Sequence, residues 1–599
     1  LYNNYGGCNN FAQGYNALYN NCCGCNNFAQ GFHALYSNRN SCNNFAQGYF
    51  ALYNNSGGNN NFAQGSQALY NNSGGNNNFA QGYLALYCNR YGNNNFAHGN
   101  FALFNNCNGN NNFAQGYHAL YHGSFGSNNF AQGRYALYNN CAGCNNFAQG
   151  LCALSNNRYG TNNFAQGYFA LAYSCSGNYN FASGACALLN NAYGHNNFAQ
   201  GYNALRNNCY GCNNFAVGYG ASACNTNASD NIAIGACALY ISYGYANIAL
   251  GKYTLNNAYN GYANIALGYG AMQYNNNACR NFGAGRYALM SGPGVDNVAI
   301  GECALSNGAG CNNVAFGYHA GFVNYGGNHN VAIGCCALYC NNGGGSNNHA
   351  EGYLSLMRNC GGCNNFAQGF MSLMWNYGHN NVAIGCCALH CSLGACNNFA
   401  VGLASLSNNK TGNNNIAQGY KSMLYGCTGS HNIAQGYKSM FENMTGSYNI
   451  AIGAYSNYGG IGDCNVVIGA SSGLPLSSCS STIVLGTSAY IGGQFAPSAT
   501  WSALSDQRDK DNITNLSLCG LEFIKQVRPV RFNWKLRGQT ETDAKWNAPD
   551  SGFIAQDLLS LIEKYNTSQG YDFSSYFKIA HGDGGENGTL HADPLKMFP

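Results

Sequence analysis

Asn-Asn-Phe-Ala-Gln-Gly returns with its phenylalanine at positions 11, 28, 45, 62, 79, 96 and 113, and the spacing of 17 residues holds without slippage through Phe215 and Ile232. Beyond that point it varies between 16 and 18, as at Ile248, Val298, Val314 and His349, and the pattern runs on to Ile483, giving about 29 copies. A period this short decides the fold class before composition is considered. No unit leaves the roughly 10 residues that a helix needs between its glycines. Each unit offers two short alternating segments instead, and Phe11-Ala12-Gln13 and Ala17-Leu18-Tyr19 each read as a three-residue strand. Asn and Gly between them tolerate positive φ and supply the turns.

One such unit cannot bury its own apolar face and needs the next coil stacked on it, so the expected architecture is an all-β repeat fibre, a β-solenoid or β-roll. At about 4.8 Å per coil the shaft would be about 140 Å long. Comparison among the repeats suggests side-chain directions. The first strand position is Phe, Ile or Val almost throughout and is expected in the core. The third is Gln in Gln13, Gln30, Gln47 and Gln64 but Ile or Leu in Ile234, Leu250, Ile300, Ile333 and Ile384, so it is also expected to face inward. Buried Gln needs partners, either stacked Gln rungs or three Gln around a threefold axis. The Asn pairs are expected to stack into amide ladders.

Charge divides the chain. Only 7% of the 599 residues are Asp, Glu, Lys or Arg, against about 25% in an ordinary soluble domain. Residues 1–504 hold six acidic and twelve basic side chains, and residues 505–599 hold thirteen and eleven. The expected organisation is a shaft over 1–492, a linker over 493–504 containing Pro497, and a globular module over 505–599. The net charge of +4 is too small and diffuse to indicate nucleic acid. No run of about 18 apolar residues suggests insertion in a membrane. No cofactor is expected. The sequence starts inside a repeat, so the intact protein is expected to extend further at its N-terminus, with any docking or secretion segment there.

Of 32 cysteines, 31 lie in the repeats, many in turns such as Cys22-Cys23-Gly24-Cys25, Cys141-Ala-Gly-Cys144 and Cys360-Gly-Gly-Cys363. Cys-x-x-Cys invites a zinc reading, but the pairs are irregular and lack a matched second pair, so no metal site is assigned. Disulfides within turns or between neighbouring coils, and plain reduced turn residues, both remain open. The 47 tyrosines could stack against glycans, but a Tyr column that stabilises the sheet is the stronger reading. The scattered histidines receive no role. A flat polar ladder could bind ice, although this one is built of Asn and Tyr rather than Thr. A glycan hydrolase finds no carboxylate pair among six acidic residues. An Asn-rich, nearly uncharged fibre is expected to be insensitive to pH and salt.

Asn231-Ile232-Ala233-Ile234-Gly235 and Asn330-Val331-Ala332-Ile333-Gly334 resemble the head repeats of trimeric autotransporter adhesins, which are trimers of parallel β-rolls. The longer Ala-Ile-Gly-x-x-Ala-Leu unit is similar to repeats of phage and large-virus tail fibres. The Phe-Ala-Gln version departs from both.

After Gly492 the pattern stops. Leu521–Val527 reads as a short amphipathic helix ended by Pro529, Val530–Lys535 as a strand, and Gly552–Lys564 as a strand end leading into a helix. Three ordered motifs lie here: Ser505-Asp506-x-Arg508-x-Lys510-x-Asn512-Ile513; Gly520-Leu521-x-Phe523-Ile524 with Arg528-Pro529-Val530-x-Phe532-x-Trp534; and Gly552-Phe553-Ile554-Ala555-Gln556-Asp557. Together they resemble the C-terminal intramolecular chaperone of endosialidases and other tail spikes, peptidase family S74. The resemblance implies a small α+β domain that trimerises, guides folding of the fibre before it, and then cuts itself off. It assigns Ser505 as nucleophile, Lys510 as its base and Leu504–Ser505 as the bond cut, with Asp506, Arg508 and Asn512 in support. A serine needs a base to become nucleophilic, and a desolvated lysine can serve. Read alone, without the other two motifs, Ser505-Asp506 is better taken as a helix N-cap and Lys510 as a surface lysine. Members of that family usually continue past the segment ending at Leu595 into a C-terminal helix, which is expected to lie beyond Pro599 or to be missing. The implied whole is a homotrimeric virion tail fibre or appendage that attaches to a host-surface receptor, a glycan among the candidates. A cellular adhesin or extracellular fibre using the same chaperone is the alternative.

Overall fold

In the computed structural model the repeats wind into a parallel β-solenoid. The structure describes residues 2–472 apart from Pro293, Ala309, Gly460 and Ile461, then 480–487 and 490–495, and a few short stretches of the C-terminal part. Two units are distinguished, Leu1–Thr482 and Ile483–Pro599.

The first unit is one long in-register ladder. Phe11–Gln13 pairs with Phe28–Gln30, that strand with Phe45–Gln47, and so on to Val466–Ile468. About 28 turns are stacked in this way, which at roughly 4.8 Å per rung corresponds to about 130 Å of shaft. The changes of period leave the ladder in register. Ile232 still faces Ile248 and Val331 still faces His349, because the loop after the second Asn of each unit absorbs the difference. There Asn38 Nδ2 donates to the Ser41 carbonyl three residues on. In a longer coil Asn341 reaches Gly345, four on, and in a shorter one Asn376 reaches Gly378, two on.

Two sequence expectations are corrected here. First, the large apolar residue of the strand is outside. In a three-residue strand the middle side chain faces opposite to its neighbours, and the middle residue, Ala29, Ala46 or Ala63, is the fully buried one. Phe28 and Gln30 flank it on the outer face, half-buried, and Phe11 is 48% exposed. The core is a narrow seam of Ala and Leu columns: Ala34, Leu35, Ala51, Leu52 and their equivalents. Second, Ala17-Leu18-Tyr19 is not a strand. Tyr15–Leu18 is a turn, and the second strand is the dipeptide Asn20–Asn21. Leu35 sits at φ 52 and still bonds along the axis, its N–H donating to the Ala51 carbonyl at 3.0 Å. The left-handed region costs a branched residue about 1–2 kcal/mol, while full burial of a leucine side chain returns about 1.5–3 kcal/mol. The turn is therefore sustained by the core it points into.

The amide ladders are present and are mostly interior. Asn44 Nδ2 donates to Asn27 Oδ1 at 3.1 Å and to the Gly58 carbonyl at 3.0 Å, and its backbone N–H donates to the same Oδ1 at 3.0 Å. A second buried column runs through Asn21, Asn38, Asn55 and Asn72, with Nδ2–Oδ1 distances of 2.7, 2.9 and 2.7 Å. In most coils glycine stands beside both columns, although Ser41, Ala228, Ala278 and Ala395 hold the equivalent place and accept the same amide hydrogen bond. A Cβ on Gly177 would lie 2.5 Å from the Gly194 carbonyl oxygen and 2.9 Å from Asn180 Nδ2.

In the second unit Ile483–Thr487 pairs antiparallel with Tyr490–Phe495, Pro529–Asn533 with Pro549–Phe553, and Ala580–Gly582 with Leu590–Ala592. Gln526, Ser560, Leu561 and Lys564 are helical, which agrees with the helix–strand–strand–helix order expected from the sequence. No helix among the described residues is long and apolar enough to cross a membrane.

Candidate functional surfaces

The flat outer face of the ladder carries two parallel columns. In one, thirteen phenylalanine rings from Phe11 to Phe215 stack in unbroken register; neighbouring centroids lie 4.7 Å apart at Phe11–Phe28 and Phe198–Phe215. In the other, Gln30 Nε2 donates to Gln13 Oε1 at 2.9 Å and Gln47 Nε2 to Gln30 Oε1 at 2.9 Å. These are the stacked Gln rungs expected from the sequence, but they stand on the outside. From Phe215–Val217 to Val331–Ile333 both outward positions are apolar on every rung. Ile232, Ile234, Ile300, Phe316 and Ile333 are each more than a third exposed. Monomeric proteins rarely leave a contiguous apolar surface of this kind uncovered.

Tyrosine columns occupy other edges. Tyr19 stacks on Tyr36 at 5.0 Å, and Tyr202 on Tyr219 at 5.3 Å. In the column through Tyr19 and Tyr36 each ring face is turned to the next ring, which favours the stabilising reading of Tyr there, whereas the paired Tyr202 and Tyr219 are 50% and 60% exposed. Burial raises the phenol pKa of Tyr53, Tyr70 and Tyr121, with neighbouring phenols adding to the effect.

The cysteines acquire a role that spacing did not disclose. In many coils the residue before the Asn-Asn that leads into the ladder strand accepts a hydrogen bond from the backbone N–H one coil earlier. Cys25 Sγ accepts from Cys8 N–H and Cys42 Sγ from Cys25 N–H, each at 3.2 Å. At equivalent places the acceptor is Asn59 Oδ1 at 2.7 Å, Ser127 Oγ at 3.0 Å, His195 Nδ1 at 3.0 Å or Asp463 Oδ1 at 2.7 Å. Cys, Asn, Ser, His and Asp interchange there because each offers a lone pair. All described cysteines are free thiols. Cys335 and Cys336 lie with their sulfurs 3.6 Å apart, and burial followed by the adjacent thiol pushes Cys336 up to about 11.

Charge is sparse. Arg280 grips Asp296 through two hydrogen bonds of 2.7 and 2.8 Å, which hold the Asp296 carboxyl below the usual carboxylate range. Lys438 Nζ lies 5.4 to 5.6 Å from the rings of Tyr437, Phe441 and Tyr455. No group of three or more His, Cys, Asp or Glu suited to a metal occurs among the described residues.

Ser505, Asp506, Arg508, Lys510 and Asn512, assigned from motif resemblance, lie outside the described residues, as does the Leu504–Ser505 bond. Elsewhere in the second unit, Lys564 Nζ donates to Gln526 Oε1 at 3.4 Å.

Residues 505–566 match the family model of the peptidase S74 type, described as chaperone of endosialidase. That span contains all three motifs. No curated protein and no solved structure matches the chain. The molecule is thus a repeat β-solenoid fibre whose C-terminal part is similar to an endosialidase chaperone.

Proposed function

We propose that this chain is the subunit of a trimeric viral fibre that attaches a virion to a host surface, and that its C-terminal module seeds the trimer and then removes itself. The observation that carries the reading is the order of parts: a long β-solenoid followed in sequence by a match to a folding chaperone over residues 505–566. Each growing coil of a parallel solenoid leaves an open strand edge that invites misassembly between copies, so a seed that fixes register has a physical purpose. The uncovered outer face supports association of copies, with its apolar segment from Phe215 to Ile333 excluding water and the Gln column supplying amides. Three copies is the stoichiometry that the resemblance implies.

For the cleavage, Ser505 Oγ gives its proton to neutral Lys510 and attacks the Leu504 carbonyl carbon. The Leu504–Ser505 amide C–N bond breaks, Lys510 returns the proton to the departing nitrogen, and an ester joins Leu504 to Ser505 Oγ. Water then hydrolyses that ester. Asp506, Arg508 and Asn512 would hold the segment. Removing the seed closes the easy route to unfolding and leaves a kinetically stable product. No external substrate is implied.

The test is the mass of the expressed full chain, native beside Ser505→Ala. A native fragment that begins at Ser505 and is absent from the variant supports the scheme, and an intact native chain contradicts self-cleavage. The second reading, a cellular adhesin with the same chaperone, rests on the adhesin-like repeats. Binding of the purified shaft to a panel of candidate host cells, against binding of its producing cells to a surface, separates the two.

A further inference from the structure

One edge of the solenoid carries six tyrosines on six successive coils: Tyr2, Tyr19, Tyr36, Tyr53, Tyr70 and Tyr87. Their ring centroids are 4.9 Å apart at the first step and 5.0 Å at each of the next four. The planes are within 12° of parallel throughout. From Tyr19 to Tyr87 every ring is half-buried, with one edge in water. Phe104 interrupts the phenols at the same spacing, 5.0 Å, and the stack goes on through Tyr121 and Tyr138, whose rings lie 5.2 Å apart. Elsewhere the stacked phenols come in pairs, such as Tyr202–Tyr219 and Tyr420–Tyr437.

We infer that this column is a site of oxidative cross-linking, in which neighbouring tyrosines seventeen residues apart couple into dityrosine and staple successive coils together. In-register stacking places each ortho carbon over its counterpart at about the ring spacing. The half-exposed edges leave room for small χ1 and χ2 shifts that bring two ortho carbons together. The backbone holds both partners on adjacent rungs, so coupling needs no diffusion and competes with links between molecules. The oxidant is a peroxide acting through a one-electron peroxidase. Each phenol loses one electron and one proton. The two resulting radicals join ortho carbon to ortho carbon, and the displaced ring hydrogens return to the phenol oxygens as the rings regain aromaticity. One peroxide is reduced to two waters per link, and the chain loses two hydrogens. The consequence for a shaft held by stacking is a covalent thread along one edge, which keeps the coils it joins from unwinding. The inference does not depend on the attachment reading or on the C-terminal module.

The experiment treats the full chain with peroxidase and hydrogen peroxide, then combines dityrosine fluorescence with mass mapping of linked peptides. The expected links are Tyr2–Tyr19 and, beyond it, the four pairs Tyr19–Tyr36, Tyr36–Tyr53, Tyr53–Tyr70 and Tyr70–Tyr87, with Tyr121–Tyr138 as one further link. They should dominate over other pairs on the folded chain and lose that preference on a heat-denatured one. Tyr36→Phe with Tyr70→Phe keeps the ring stack but separates the phenols, so those four links should vanish while Tyr2–Tyr19 persists. Links scattered over exposed single tyrosines such as Tyr91 and Tyr159, links that grow with protein concentration, or no fluorescence at all would each overturn the inference.

Discussion

Asn61 shows what a single side chain does in this molecule. Its Nδ2 donates to Asn44 Oδ1 and to the Gly75 carbonyl, and its Oδ1 accepts from the backbone N–H and the Nδ2 of Asn78. Asn61→Ala strands groups on the coils on both sides. At about 1–3 kcal/mol for each buried group left unpaired, the local cost is several kcal/mol. In a quasi-one-dimensional stack that cost stays near the coil that bears it. Hydrogen exchange should therefore rise over the neighbouring coils while distant coils keep their protection. Gly116, at φ 135, belongs to a region open almost only to glycine, and a Cβ there would sit 2.7 Å from the Gly133 carbonyl oxygen. Gly116→Ala should destabilise its coil at least as much as Asn61→Ala by the same readout. The histidines refine the expected indifference to pH. Burial lowers the pKa of His118, His122 and His390. The folded state therefore favours neutral imidazole. Its contribution is complete above the unfolded value of about 6.5 and is lost as pH falls through the lower folded value. Melting followed by circular dichroism should be level from pH 8 to about 6.5 and then decline. Replacing these three histidines with asparagine should flatten the decline.

At the scale of the coil, the repeat, the all-β class and the amide ladders are legible in the sequence because they depend on period and hydrogen-bonding type alone. The direction of the strand's side chains is not. A large apolar residue at the first position reads as core, yet the middle position, Ala in nearly every coil, is the one that the narrow interior can hold. That constancy of a small residue is the signal that identifies the inside. The Ala-Leu turn is hidden for a related reason: leucine at positive φ contradicts local preference, and only the stacked core makes it favourable. The acceptor column before Asn-Asn is readable once Cys, Asn, Ser, His and Asp are grouped by their lone pairs rather than by size or charge. In the C-terminal part, three spaced motifs identify the chaperone type, and the family match over 505–566 bears that out, while Ser505 and Lys510 rest on the motif alone. The coil as the unit of stability yields a prediction. Removing one whole coil, residues 62–78, joins equivalent positions and should leave melting and protease resistance nearly unchanged. Removing 62–70 alone turns the following strand out of register and should expose the shaft to protease.

For the whole molecule, the outward columns pose the main physical question. A solenoid with Phe, Ile, Leu and Val along a flat exposed face is poorly suited to life as a monomer in water, and the proposed trimer covers that face. Ile234→Lys with Ile300→Lys places charges in the apolar segment without touching the Ala-Leu core. It should leave the coil fold intact by circular dichroism and shift the shaft from trimer to smaller species in sedimentation. The measurement that tests the account most directly is an electron cryo-microscopy cross-section of the purified shaft. The account predicts three solenoids around a threefold axis, rungs about 4.8 Å apart, with the Phe/Ile and Gln/Ile columns turned toward the axis. A single solenoid with those columns facing solvent would contradict it.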